Sequence, residues 1–356
     1  MNMGAFSPEL SVIMGVFNGE EYIEEAVLSI LNQTFANFEL IIVDNASTDA
    51  TVQKICSIPD PRIRLIRNER NMERAYSRNV AVQQASAPLI AVMDADDYAI
   101  PYRLEVQVAF MRRHPEIAVC AGFMEIYETG KMISFPLHDD EIRVHLLWHS
   151  CLPHPTWMSR REAILKAGGY DHDFIPAEDY ELLAKLLGDS QVRFACLPEV
   201  LVRYRAYPEK DRKAYEATQQ RSAARVRSRL IRCLIPDMTE EEQACHDLLC
   251  GENRTADTHA LVMCRAWLKR LLIANEAMEI YSREVFRDFW LRRWWNICAG
   301  SMRIGTLWEL VSVRGLQGSL RCGLLRPMSL VFWHWLQRKL LPSKWRLKNI
   351  YRRELR

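Results

Sequence analysis

The sequence predicts an α/β protein: a mostly parallel sheet with flanking helices, followed by a mainly α-helical C-terminal region. Three observations carry that expectation. Short apolar, β-branched runs alternate with helical segments over the first 125 or so residues, acidic clusters follow directly on two of those runs, and strand patterns nearly vanish after Lys210. Strands alternating with helices argue crossover units and a parallel sheet covered on its faces.

In chain order, the predicted strands are Leu10 to Val16, Leu40 to Val43, Ile63 to Ile66, Leu89 to Met93 and Ile117 to Phe123. The helices between them are predicted over Glu20 to Leu31, Thr48 to Cys56, Met72 to Ala85 and Tyr102 to Arg113. Pro101 sits where a first-turn proline is tolerated, and Pro115 follows the end of the last of these helices. From Asp139 the pattern changes to a helix through Trp148, a turn at His154 to Thr156, a helix over Arg160 to Lys166 and a break at Gly168-Gly169. A helix over Tyr180 to Leu187 and a strand near Val192 to Val202 follow. Ala214 to Leu234 and Thr258 to Tyr281 read as long helices. The simplest partition is a domain over residues 1–208 and a helical region over 209–356.

The 49% apolar and 26% charged composition is that of an ordinary globular chain, with enough apolar residues for a sizeable core. Ten scattered cysteines form no CxxC pair, and no His cluster stands at zinc-ligand spacing, which points to a reduced, cytoplasmic protein without a cysteine-held metal. The net charge of +2 conceals an asymmetry: 20 basic and 30 acidic residues precede position 211, and 27 basic and 15 acidic follow. Residues 282–356 hold 16 basic and 4 acidic residues and seven of the ten tryptophans. The acidic front half and the lack of a recognised binding motif argue against nucleic acid as partner.

In a sheet of this kind ligands sit outside the carboxyl ends of the strands. Asn18, Asp44 to Asp49 and Asp94 to Asp97 each lie just past a strand end and should converge on one crevice. Asp94-Ala95-Asp96-Asp97 is the strongest signal. Three carboxylates in four residues repel one another, and a cation with oxygen ligands, Mg²⁺ or Mn²⁺, would offset that repulsion and bridge to a diphosphate. A solvated acidic turn is the plainer alternative. Asp44, at a strand edge, can accept from a base N–H or a ribose hydroxyl, while Ser47 or Thr48 is placed to cap the next helix. Glu178-Asp179 opens a helix, where acidic residues also offset the helix dipole.

At these residues the chain resembles family 2 glycosyltransferases, whose nucleotide-sugar-binding domain has the GT-A, Rossmann-like fold. The resemblance runs from Leu10 to about Arg205 through several motifs in the family's order: Leu10 to Asn18, Ser29 to Thr34, Phe38 to Asp49, Ala75 to Asn79, Asp94 to Asp97 and Glu178-Asp179. It implies an inverting enzyme in which Asp179 is the general base. By the same resemblance Val16, Asn18, Asp44, Arg78, Asp94, Ala95, Asp96, Glu178 and Arg205 bind the nucleotide sugar, with Asp96 and Asp97 at the metal. His154 is a candidate contact for the acceptor or diphosphate. Gly15 stands where the family usually has proline, Glu73 stands where Asn-x-Gly is common, and the histidine often found shortly after Arg205 is replaced by Ala206-Tyr207.

The resemblance makes the donor a UDP-, GDP- or dTDP-sugar and the acceptor a saccharide. Interleaved tryptophans, leucines and arginines in the tail look like an interfacial element on an anionic leaflet, since the best apolar run, Met328 to Leu336, is too short to span a bilayer. The expectation is a peripheral enzyme on the cytoplasmic face of the inner membrane, acting on a lipid-linked acceptor in surface polysaccharide synthesis. A helical packing or homodimer interface is the alternative for that tail. Two other functions compete with this one: a nucleotidyltransferase, which expects a Gly-rich basic loop that Gly15 to Glu21 lacks, and a non-catalytic nucleotide-sugar-binding module.

Overall fold

The structure, a computed structural model, describes residues 7–206, 209–251 and 256–301. Trp308, Trp333, Trp335, Trp345, Cys322 and the Met328 to Leu336 run lie outside the described residues.

Nine strands form one sheet: β1 (Leu10–Val16), β2 (Phe38–Asp44), β3 (Ile63–Arg67), β4 (Leu89–Asp94), β5 (Tyr98–Ala99), β6 (Ile117–Ile126), β7 (Met132–Ile133), β8 (Met158–Arg160) and β9 (Arg193–Tyr204). The order is β3-β2-β1-β4-β8-β6-β9-β5, with β7 on the side of β6. The first four strands are parallel, as is the β6–β9 pair, while β8 is antiparallel to both β4 and β6. This is the GT-A arrangement expected of the sequence.

Because the parallel strands are covered on both faces, consecutive residues are apolar. Val12, Met14, Leu40, Ile42, Ala91 and Met93 pack into one core with Ile23, Ala26, Val27 and Ile30 of α1 (Ile23–Leu31) and Leu104, Val108 and Met111 of α4 (Arg103–Arg113). Ile13, Ile41, Val43, Ile90 and Val92 are buried as well. Between these lie α2 (Thr51–Cys56) and α3 (Glu73–Gln84).

α1 and α2 each start three residues later than the sequence predicts. The intervening backbone is held in a lattice between the two loops: Asn18 N–H donates to Ser47 Oγ (2.9 Å), Thr48 N–H to Asn18 Oδ1 (2.9 Å), Gly19 N–H to Thr51 Oγ1 (2.8 Å) and Ala50 N–H to Glu20 Oε2 (2.8 Å). Ser47 and Thr48 therefore fasten loop to loop and do not cap α2, whose N-cap Ala50 has no side-chain bond. The three-residue β8 has no sequence signal because its pairing with Leu89 to Ala91 and Val119-Cys120 is wholly non-local.

Past β7 come α5 (Asp139–His145), α6 (Arg161–Lys166) and α7 (Glu178–Leu187), then α8 (Glu209–Leu234), α9 (Glu240–Cys250), α10 (Thr258–Met278) and α11 (Arg283–Ser301). α5 is shorter than predicted, and α9 and α11 fall inside the region expected to be helical, where the sequence pattern set no bounds for them. Thr239 and Glu242 form a capping box on α9, and Asp257 caps α10 by accepting from Ala260 N–H. α10 ends where Glu279 turns left-handed (φ 53°) and the Asn275 side chain bonds both the N–H and the C=O of Tyr281.

These helices pack against the segment that follows α5, Leu146 to Trp148. Tyr180 Oη donates to Leu146 O, the His246 ring meets Leu147 O at 3.1 Å, and Trp148 Nε1 donates to Cys250 O at 2.7 Å. Arg293 lies over the Trp148 ring at 4.2 Å. Burial holds His246 as the neutral imidazole, its pKa lowered to about 4. No helix among the described residues is long and apolar enough to cross a membrane.

The Gly168-Gly169 break is a steric requirement. Both are left-handed (φ 80° and 71°), and a Cβ on Gly169 would lie 2.5 Å from Asn79 Oδ1, the atom that accepts from Tyr170 N–H. Gly130 is also left-handed (φ 65°) but has open space around it. Gly169→Ala should cost about 2–3 kcal/mol and Gly130→Ala about 1. Urea denaturation of the two variants checks this, and an equal or smaller loss at Gly169 contradicts the close approach.

Candidate active site

The parallel registers pair Val16 with Asp44, Gly15 with Asp94 and Asp44 with Arg67, so the carboxyl ends of β1, β2, β3 and β4 lie together. Val16 is buried, and its carbonyl accepts from Asn45 N–H (2.8 Å). Asp44 is fully buried beneath this edge. Its oxygens accept from Ser47 N–H at 3.3 Å, and Arg67 Nε lies 3.6 Å away. Asn45 organises the next loop through Asn68, Asn71 and Met72 N–H. Glu73, where the family commonly has glycine, adopts φ 65°. The left-handed backbone is thus kept without the residue that adopts it most easily.

The loop after β4 separates its carboxylates. Asp94 and Asp96 line a cavity of about 410 Å³. Asp97 does not: it is 1% exposed, with Oδ1 accepting from Arg205 N–H (3.0 Å) and Oδ2 without a hydrogen-bond partner among the described residues. Ala95 is half-buried between them. Burial, reinforced by Asp94, pushes the Asp96 carboxyl up to about 6. Asp97 is pushed far higher by burial and by both neighbours. The fully buried Arg103, donating to Val92 O at 2.6 Å, offsets part of that charge from below.

Arg205 also stands outside the cavity lining. Its guanidinium lies between the Tyr127 and Tyr22 rings (3.9 and 4.4 Å), donates to Asp96 O at 2.8 Å and pairs with Glu25. It therefore holds the acidic loop in shape from behind.

The second carboxylate pair reaches the same cavity from α7. Arg78 on α3 spans the two groups, with Nη1 at 2.6 Å from Glu178 Oε1 and Nη2 at 3.2 Å from Asp94 Oδ1. Arg74, one turn earlier, lies 3.6 Å from the same Glu178 oxygen and donates to Tyr215 Oη at 3.0 Å. Glu178 is thereby held as the ion-pair partner, although its Oε2 has no partner among the described residues. Asp179 lines the cavity, and burial, with Glu178 beside it, pushes its carboxyl up to about 6. His154 lines the cavity too. Its Nε2 meets Tyr170 Oη at 2.9 Å, and burial with the arginines Arg78, Arg74 and Arg103 nearby keeps it neutral.

Of the residues singled out in the sequence, Arg78, Asp94, Asp96, His154, Glu178 and Asp179 share one cavity. Asn18, Asp44, Asp97 and Arg205 shape its surroundings and are not among its lining residues. Sequence reasoning missed Arg74, Tyr170, Tyr215 and Arg103. Arg74 alone carried a signal, because residues i and i+4 share a helix face with Arg78. Among the described residues no three metal-ligating side chains cluster together. A hard cation held here would need phosphate or water oxygens besides Asp96 and the unpartnered Oδ2 of Asp97, a donor set suited to Mg²⁺ or Mn²⁺.

The chain's likeness to known proteins agrees with this geometry. Residues 11–166 match the model for glycosyl transferase family 2. The O-antigen biosynthesis glycosyltransferase WbnJ of Escherichia coli is 33% identical over 212 residues, which are 58% of this chain and 82% of that protein. The UDP-Glc:alpha-D-GlcNAc-diphosphoundecaprenol beta-1,3-glucosyltransferase WfgD of Escherichia coli is 31% identical over 183 residues, covering 51% and 71%. A solved structure of the mannosyltransferase PcManGT from Pyrobaculum calidifontis, in complex with GDP-Man and Mn²⁺, superposes with a TM-score of 0.52 at 19% identity, over 86% of this chain and 88% of that one. With a cleft built from acidic residues at the strand ends and at the start of α7, and relatives that match over most of their length, the chain belongs to glycosyl transferase family 2.

Proposed function

We propose that the chain transfers a glycosyl group, with inversion, from a UDP-, GDP- or dTDP-sugar to a hydroxyl of a lipid-linked saccharide in surface polysaccharide synthesis. One observation carries this reading: Asp94 and Asp96, at the end of β4 and just after it, and Asp179, in the first turn of α7, line a single cavity, with Arg78 bonded to Asp94 and Glu178. The name of WfgD supports a lipid-linked acceptor, and that of WbnJ supports a part in polysaccharide synthesis.

In this mechanism the acceptor oxygen attacks the anomeric carbon as the bond to the diphosphate breaks on the opposite face. The Asp179 carboxylate takes the acceptor proton. Its pKa near 6 leaves it ionised at neutral pH yet more basic than an ordinary carboxyl, which suits a general base. Glu178 is unsuited to that role because its Oε1 is committed to Arg78 and Arg74. His154, neutral and bonded to Tyr170, can offer a hydrogen bond but no charge. Mn²⁺ or Mg²⁺ held by Asp96 and Asp97 would supply positive charge for the leaving diphosphate. Asp44 would accept from the base or ribose, with Val16 and Asn18 at the same edge. The basic, Trp-rich residues 282–356 would hold the enzyme on the cytoplasmic face of an anionic membrane.

Asp179→Asn should lower kcat about 10²-fold or more with little change in donor affinity. The wild-type rate should fall as pH drops through about 6, where the base becomes protonated, and this limb should be absent in the variant's residual activity. Donor turnover with a saccharide acceptor, measured across pH, checks both; unchanged turnover in the variant removes Asp179 from its role. Excess chelator should abolish transfer and added Mn²⁺ should restore it, whereas full activity in chelator refutes the metal. The full chain should sediment with anionic vesicles and be released by salt. Equal binding to neutral vesicles, or none, refutes the interfacial tail.

A further inference from the structure

The cavity lining divides by origin. One part is the sheet-end carboxylates and the α3 arginines, and another is Tyr215, Glu216 and Gln219 of α8, with Pro153, Pro155 and Pro176 beside them. α8 follows the sheet domain in the chain and contributes to none of its strands. It packs on α7, the helix that Glu178 and Asp179 open. Ser222 Oγ donates to Ile175 O (3.2 Å), and Arg225 Nη1 donates to Asp173 O (2.8 Å), so α8 is fastened to the segment leading into Asp179.

The chemistry of this wall differs from that of the strand ends. Among the described residues it carries no arginine or lysine, and the two arginines of the lining, Arg74 and Arg78, are matched by Glu178 and Asp94, so it offers little to a diphosphate. An aromatic ring, a carboxylate, an amide and three prolines are instead suited to a neutral polyol. The ring and prolines cover C–H faces, while the polar groups bond hydroxyls. Tyr215 is held in place by Arg74, which lies over its ring at 5.4 Å and donates to its hydroxyl at 3.0 Å. The same Arg74 touches Glu178, next to the general base.

We propose that α8 is the acceptor wall of the cleft, with Tyr215 as the residue on which the acceptor pyranose packs and Glu216 as a bonding partner for its hydroxyls. This rests on the glycosyl-transfer reading and assigns the acceptor half of that site. It also gives the helical extension a catalytic purpose, since the acceptor subsite is incomplete without it.

The test uses the full chain, Mn²⁺, a set of UDP-, GDP- and dTDP-sugars as donors, and a panel of octyl glycosides of glucose, galactose, mannose and N-acetylglucosamine as acceptors. Tyr215→Ala should raise KM for the best glycoside about tenfold more than it raises KM for the donor, equivalent to about 1.4 kcal/mol. Tyr215→Phe, which keeps the ring and loses only the hydroxyl, should recover most of that difference. Glu216→Ala, at an exposed position, should move the acceptor KM in the same direction by about threefold, and it serves as the test should Tyr215→Ala not fold. If the donor KM rises as much as the acceptor KM, or neither moves, α8 is not the acceptor wall although the enzyme is a glycosyltransferase. If the wild-type chain transfers to none of the glycosides and consumes no donor, the glycosyl-transfer reading itself fails.

Discussion

Arg78 is the interaction around which the site is organised. Its side chain is 12% exposed, and its guanidinium touches carboxylates from two places far apart in the chain, Asp94 at the end of β4 and Glu178 at the start of α7. Without a shared cation these two acidic groups would repel each other across a partly buried cleft. Removing one member of such a buried pair leaves the other uncompensated and typically costs about 3–5 kcal/mol. The planar, forked guanidinium can engage both carboxylates at once, which a lysine ammonium does less well. Arg78 therefore commits Glu178 to an ion pair, which leaves Asp179, the next residue, as the proposed base.

A second cation, Arg205, plays the corresponding part behind the Asp94 to Asp97 loop. Its contacts to Asp97, Asp96 O and Glu25, and its place between two tyrosine rings, fix how the acidic loop turns. Arg103 supplies charge from beneath. Three arginines thus surround three aspartates, and burial, reinforced by Asp94, still raises the pKa of Asp96. Asp94, Asp96 and Asp179 face one cavity, an arrangement that suits the proposed divalent cation and diphosphate.

Much of this was legible in the sequence, and the reason is periodicity. Buried parallel strands are continuous apolar runs, so Leu10 to Val16 and Leu89 to Met93 declare themselves, and the rule that ligands gather at carboxyl ends then locates Asp94 to Asp97. The sequence places Asp44 at the strand edge, but its carboxylate lies beneath it; which way an edge residue turns depends on the loop above, here Ala46 at φ 65° and the Asn18–Ser47 lattice. Arg103 could not be told from a surface arginine, because its burial is decided by partners outside its own helix, Val92 O and Trp157 O. β8 and Tyr215 failed for the same reason: neither has a local pattern, and each is defined by partners from other parts of the chain.

The central claim is that both acidic groups face one nucleotide sugar. A crystal structure of the chain with Mn²⁺ and a non-hydrolysable analogue of its donor tests this most directly. The diphosphate and metal should lie against Asp96, with the anomeric carbon facing the Asp179 carboxylate. A nucleotide bound with its diphosphate away from the Asp94 to Asp97 loop, or with Asp179 turned from the sugar, would contradict it.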